Sequence, residues 1–257
     1  MATILICLTA FLASILTFFS GFGLGTLLAP VLMFFFPVEV AIALTGIVHF
    51  FNNVFKLFLT GKHANKEVIL RFGIPAVIAA FVGASLLLQF SNMSPLYQYN
   101  FLEKNFSIYP TKLIIAVLLL FFAVVDLIPY FGKLAFSKNK LPIGGILSGF
   151  FGGLTGAQGA LRSAFLIRAG LSKEAFIGTT VVVSTLVDIT RLGVYATGFG
   201  QHLQKDNLTL LLLTTISAII GAFIGNKLLK KVTLKFIQQI VATLLIFIAI
   251  GLGLGWL

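Results

Sequence analysis

In a chain where 59% of residues are hydrophobic and 10% are charged, Arg162 stands inside "GGLTGAQGALRSAF", residues 152 to 165. The arginine fork can hold an oxyanion through two parallel charge-assisted bonds. A helix that begins at membrane depth adds unpaired backbone N–H groups and roughly half a positive charge at its start, which favours the same kind of ligand. Glycines at such a break let the backbone turn through φ > 0 and approach a bound group closely. A second break of the same form, "SGFGLG", occupies 20 to 25. The residues expected to bind an anion are therefore Gly21, Gly23, Gly25, Gly156, Gln158, Gly159, Arg162 and Ser163, with helices starting after Gly25 and after Gly159. Close helix packing through small residues is the alternative role for the glycines.

Each break precedes an apolar stretch that carries polar residues at helical spacing. Thr45, His49, Asn52, Asn53 and Lys56 share one face of the first, and Thr180, Ser184, Asp188 and Arg191 share one face of the second. A charged side chain at the centre of a membrane helix costs about 2.5 to 3.5 kcal/mol, so these faces should meet each other or water rather than lipid. They are the expected lining of a path, or the groups that couple it to a proton. His49 is the side chain whose ordinary pKa, about 6.5, changes charge near neutrality. Structural readings stand beside these. Lys56 can snorkel to headgroups, Asp188 and Arg191 at i, i+3 can neutralise each other, and His49, Asn52 and Asn53 can join helices by hydrogen bonds. Glu39 and Glu174 fall in first turns, where the helix dipole holds a carboxylate.

The elements that must position these residues are apolar runs of about 17 to 25 residues, long enough to cross a bilayer, recurring from end to end. They read as 2–36, 40–60, 69–90, 112–131, 141–167, 175–198, 208–226 and 235–257, and the mean hydropathy is +1.09. The runs are apolar all round, which argues against a membrane barrel and for an all-α polytopic membrane protein. The first Lys or Arg is Lys56, so the N-terminus reads as a first membrane segment and not a cleaved leader. Cys7 is the one cysteine, so neither a disulfide framework nor a thiol pair is expected.

The net charge of +11 sits in short loops: Lys62, Lys66 and Arg71; Lys133, Lys138 and Lys140; Arg168 and Lys173; Lys227, Lys230, Lys231 and Lys235. This reads as membrane topology and not as a nucleic-acid surface, with all four clusters cytoplasmic. Strict alternation of spans cannot place them so. If 141–167 enters the membrane and returns, it can. A constant offset of 135 residues pairs Gly21 with Gly156, Ala29 with Ala164, Glu39 with Glu174, Thr45 with Thr180, Asn53 with Asp188 and Lys56 with Arg191. The expected plan is two inverted-topology repeats, each a broken or re-entrant helical hairpin followed by three transmembrane helices. The N-terminal repeat covers 1–131 (hairpin 2–36), a cytoplasmic linker 132–140, and the C-terminal repeat 141–257 (hairpin 141–167), with both termini outside a cell membrane, the bacterial inner membrane in this reading.

The order of glycine-rich break, short arm, "GLSKEA" turn and "GTT" helix start, in "SGFGLGTLLAPVLMFFFPVEVAIALTGIVHFFNN" and again from 144 to 188, resembles the sulfite exporter TauE/SafE family of membrane permeases over nearly the whole chain. Many members carry a G-x-G-G-G run followed by a proline in each half. Gly21, Gly23, Gly25 and Pro30 match the first in part, whereas "GAQGALRSAF" carries Gln158 and Arg162 and has no proline. The resemblance implies two related halves and movement of sulfite, sulfonates or related organosulfur anions.

The expectation is a secondary transporter of a small oxyanion working by alternating access, proton-linked through His49, without cofactor or metal. A small anion and the lipid bilayer are the expected partners, a homo-oligomer is compatible, and nucleic acid is not. No Walker sequence G-x-x-x-x-G-K-[ST] is present to drive an ATP pump. A non-transporting membrane subunit or sensor is the alternative. An intramembrane enzyme fits less well, because neither H-E-x-x-H nor a close pair of midmembrane acids occurs.

Overall fold

The computed structural model describes residues 1–17, 24–128, 136–199, 205–228 and 234–257. The breaks at Gly21 and Gly23 and the loop at Lys133 and at Lys230 and Lys231 lie outside these residues.

The chain is mostly helical. Helix α1 (Ala2–Thr17) and α2 (Leu24–Met33) form the first broken pair, and α3 (Val38–Thr60) follows Pro37. A long helix α4 (Lys66–Ser91) contains a π-helical turn at Ile69–Gly73. A hairpin of β1 (Tyr97–Phe101) and β2 (Lys104–Ile108) leads into α5 (Pro110–Leu127). The second broken pair is α6 (Leu141–Thr155) and α7 (Gly159–Leu166), followed by α8 (Lys173–Phe199), α9 (Lys205–Leu228) and α10 (Leu234–Gly253). Among the described residues four helices are long and apolar enough to cross a membrane: Val38–His63, Lys66–Ser91, Lys173–Gly198 and Asn207–Lys227.

The polarity of the molecule is that of a membrane protein. Phe58, Ile78, Phe81, Val117, Leu212 and Phe247 are exposed, while Lys56, Arg162, Asp188 and Arg191 are buried. Each arm of a broken pair is too short to cross alone, since α6 has 15 residues and α7 has 8, at 1.5 Å per residue. The N–H of Phe136, just before α6, donates to the Ala164 carbonyl at 3.2 Å, and the Phe136 and Phe165 rings stack at 4.3 Å. The second pair therefore ends beside the point where it began.

Packing follows a reciprocal pattern. Helix α1 lies against α9 and α6 lies against α4, while α3 packs on α8 and α5 on α10. Close approach in the first two contacts is made by glycine. A Cβ added at Gly145, Gly149 or Gly153 would stand 2.2, 2.0 or 2.1 Å from the carbonyl oxygens of Phe72, Ala76 and Ala80, one turn apart on α4. On α9, Gly221 meets the Phe11 carbonyl of α1 in the same way, at 2.3 Å. Packing is thus the role of these glycines.

The loops sort to two ends. Glu67 accepts from Lys138 at 3.0 Å and from Arg71 at 3.2 Å, and the Asn65 N–H donates to Thr179 Oγ1 at 2.9 Å, so three of the basic loops meet at one end. At the other end Met1, Leu5 and Phe35 line one hollow, and Trp256 and Leu257 line a cavity of about 580 Å³ with Glu39, Tyr109, Thr111 and Lys112. Both termini therefore lie away from the basic loops.

Candidate functional site

The two polar stripes face each other, because α3 and α8 pack antiparallel along them. Asp188 is their meeting point. Its Oδ2 lies 2.7 Å from His49 Nδ1 and accepts from Asn53 Nδ2 at 3.0 Å, both on α3. Its Oδ1 accepts from Arg191 Nε at 3.0 Å and lies 2.8 Å from Arg191 Nη2, one turn along α8. With Nδ1 this close to a carboxylate, the proton of His49 belongs on that nitrogen. Asp188 and Arg191 do form the i, i+3 pair, and the carboxylate also ties their helix to α3. Both residues are fully buried, so each removes an uncompensated charge from the other.

Asn52 and Lys56 take another direction. With the Asn52 amide nitrogen donating to Ser14 Oγ and the Ala218 carbonyl, its oxygen accepts from Lys56 Nζ, each at 3.2 Å. Asn52 thus joins α3 to α1 and α9 and does not enter the Asp188 group. Lys56 is 6% exposed, so its ammonium stays inside and does not snorkel. The charges of Lys56 and Arg162 act on each other, and Asp188 acts on Arg162. Ser184 turns back on its own helix, donating to the Thr180 carbonyl at 2.9 Å.

At the second break α6 ends at Gly156 in the left-handed conformation, φ 79°, its N–H bonded to the Gly152 carbonyl. Thr155 Oγ1 takes the Ala157 N–H at 3.1 Å, and α7 starts at Gly159 with Gln158 as N-cap. Helix α2 starts at Leu24, not after Gly25, and α7 at Gly159 itself, so these two glycines sit inside the first turns. The two breaks touch. A Cβ on Gly25 would lie 3.3 Å from the Gly156 carbonyl oxygen and 3.5 Å from Thr45 Cγ2, and one on Gly156 would lie 2.8 Å from Arg191 Nη1. Thr45, Gly25, Gly156 and Arg191 are therefore one neighbourhood, with the Asp188 group directly beside it. Arg162 is buried one turn into α7, its N–H bonded to the Gln158 carbonyl at 3.1 Å. Gln158, Ser163, Thr45, Thr180 and Arg191 each present a buried polar atom without a hydrogen-bond partner among the described residues.

Three contributors escaped the sequence reading. Tyr195 donates to the Gly153 carbonyl, Ser148 Oγ to the Gln158 carbonyl at 3.3 Å, and Ser14 supports Asn52. Tyr195 was within reach, since it continues the stripe of Asp188 and Arg191 by one more turn. Ser14 and Ser148 stand alone in apolar runs and had no pattern to mark them. No group of three or more metal-ligating side chains occurs among the described residues.

A family model described as "Sulfite exporter TauE/SafE" matches residues 6–252. No curated protein and no solved structure matches the chain.

Proposed function

Because the chain belongs to the sulfite exporter TauE/SafE family, it is a membrane permease, and we propose that it carries a small oxyanion, sulfite or an organosulfonate, by alternating access. The observation that carries this is the balance of buried charge. Among the described residues the buried charged side chains are the cations Lys56, Arg162 and Arg191 and the single carboxylate Asp188. An interior with that excess suits an anion, and each additional cation would raise the cost of holding a cationic substrate.

In this reading 1–131 and 141–257 are inverted repeats joined by the linker 132–140. The 135-residue offset carries the start of α3, Val38, onto the start of α8, Lys173, and Leu24 of α2 onto Gly159 of α7. Under the same pairing α1 against α9 is the counterpart of α6 against α4, which is what a two-fold relation requires. The gathered basic loops face the cytoplasm and both termini face outside. Arg162, Gln158 and Ser163 with the backbone at Gly25, Gly156 and Gly159 hold the anion, joined by Gly21 and Gly23 of the first break. His49, Asn52, Asn53, Lys56, Thr180, Ser184, Asp188 and Arg191 line the path, and His49 carries the coupled proton.

The test is uptake of labelled sulfite, thiosulfate, taurine and sulfoacetate into proteoliposomes under an imposed pH gradient. Arg162→Lys keeps the charge and loses the fork, so transport should fall at least about tenfold at unchanged expression. Transport by Arg162→Ala at the parental rate would remove Arg162 from the site, and no uptake of any of the four anions would overturn the reading.

A further inference from the structure

Gln158 is 1% exposed, and neither Nε2 nor Oε1 of its amide has a hydrogen-bond partner among the described residues. It holds the N-cap position of α7 but makes no side-chain cap. Its amide lies instead in the elbow between α6 and α7, where Oε1 would be 3.1 Å from a Cβ placed on Gly152. The large majority of buried side-chain polar atoms are satisfied, so an amide with both ends open calls for a ligand that presents both a donor and an acceptor.

The neighbouring open atoms make this demand asymmetric. Arg191 Nη1, beside Gly156, and Gln158 Nε2 are donors, and the hydroxyls of Thr45, beside Gly25, and of Ser163, in the first turns of α7, serve as either. Gln158 Oε1 alone can only accept. An anion whose exposed atoms are all acceptors, such as sulfate or methanesulfonate, satisfies the donors and leaves Oε1 buried and unpaired. Ser148 Oγ holds the Gln158 carbonyl at 3.3 Å and so steadies the elbow backbone from which the amide projects.

We propose that the site selects a monoanion that brings its own O–H or N–H donor beside its charged oxygens, hydrogen sulfite or an amino- or hydroxysulfonate, and rejects acceptor-only anions. This rests on the anion-transport reading above. A site built to bond a substrate hydroxyl discriminates strongly against the analogue that lacks it, whereas a merely shaped pocket does not.

Hydrogen sulfite and methanesulfonate form the probe pair: equal in charge, the first brings an O–H donor beside its charged oxygens and the second only acceptor oxygens and a methyl group. Binding of each is measured by calorimetry on the full purified chain in detergent, at mildly acid pH where sulfite is mostly the hydrogen sulfite ion. Hydrogen sulfite should bind at least about tenfold more tightly than methanesulfonate. In Gln158→Leu that ratio should shrink to about twofold or less, because hydrogen sulfite loses its bonds to both ends of the amide and methanesulfonate only the one from Nε2. The wild-type ratio decides even if the variant fails to fold. Equal binding of the two anions by the wild type would overturn the inference and leave the anion reading intact. Binding of neither would overturn both.

Discussion

Asp188 divides its two oxygens between two helices, and that makes it the residue on which the interior most depends. Asp188→Asn would leave Arg191 fully buried beside a neutral amide, a change that costs about 3 to 5 kcal/mol in comparable buried pairs. Thermal unfolding of the detergent-solubilised variant should show a clear drop in midpoint; a parental midpoint would mean that the pair contributes nothing to stability. His49 touches the same carboxylate at 2.7 Å, and its charge state decides whether this contact is an ion pair or a neutral hydrogen bond. His49→Gln keeps a donor there and removes the titration. Its transport should lose pH dependence between about pH 5 and 8 while substrate affinity changes less. An unchanged pH profile would reduce His49 to a packing residue. The stripe holding these residues was legible because charged and amide side chains at helical spacing in an apolar run have few places to go. Their partners were not: spacing put Asn52 and Asn53 on one face, yet Asn53 meets Asp188 and Asn52 meets Ser14. Which of two adjacent amides crosses to which helix is a matter of packing in three dimensions.

Helix-scale architecture divides the glycines by task. Gly145, Gly149 and Gly153 recur every fourth residue and bring the backbone of α6 onto that of α4, so Gly149→Leu should separate the two helices and sharply reduce folded protein recovered by size-exclusion chromatography. Gly193 on α8 has nothing within 4 Å of an added Cβ. Gly193→Ala should therefore be neutral or stabilise by up to about 1 kcal/mol, through helix propensity alone. If the two substitutions behave alike in thermal unfolding, the packing role is wrong. Composition and spacing located the broken pairs and the long helices, because apolar length and glycine interruption are one-dimensional properties. The β-hairpin was invisible for a physical reason. Its turn places Leu102 at φ 48° and Glu103 at φ 62°, where two-residue hairpin loops ordinarily signal themselves with Asn-Gly or Asp-Gly. Strands of five residues paired only with each other add no further signal.

At the scale of the whole molecule, the sorting of basic loops to one end and termini to the other makes the orientation testable. A cysteine at position 173 in intact cells should resist a membrane-impermeant thiol reagent, whereas one at position 103 in the hairpin should react. Strong labelling at 173 from outside would reverse the assignment. The hairpin that carries position 103 also bonds to the chain end: Tyr99 Oη donates to the Leu254 carbonyl at 2.6 Å and accepts from Trp256 Nε1 at 3.2 Å. Nothing comparable fits in the other half, where residues 229–233 alone join α9 to α10. Two equal inverted halves would open toward either side at equal cost. In the alternating-access reading proposed above, a strap at one end alone would act as a rectifier, giving a resting side and unequal forward and reverse speeds. Replacing 97–108 with a short glycine-serine loop should then bring influx and efflux rates in oriented proteoliposomes closer together, and an unaltered ratio would place the asymmetry elsewhere.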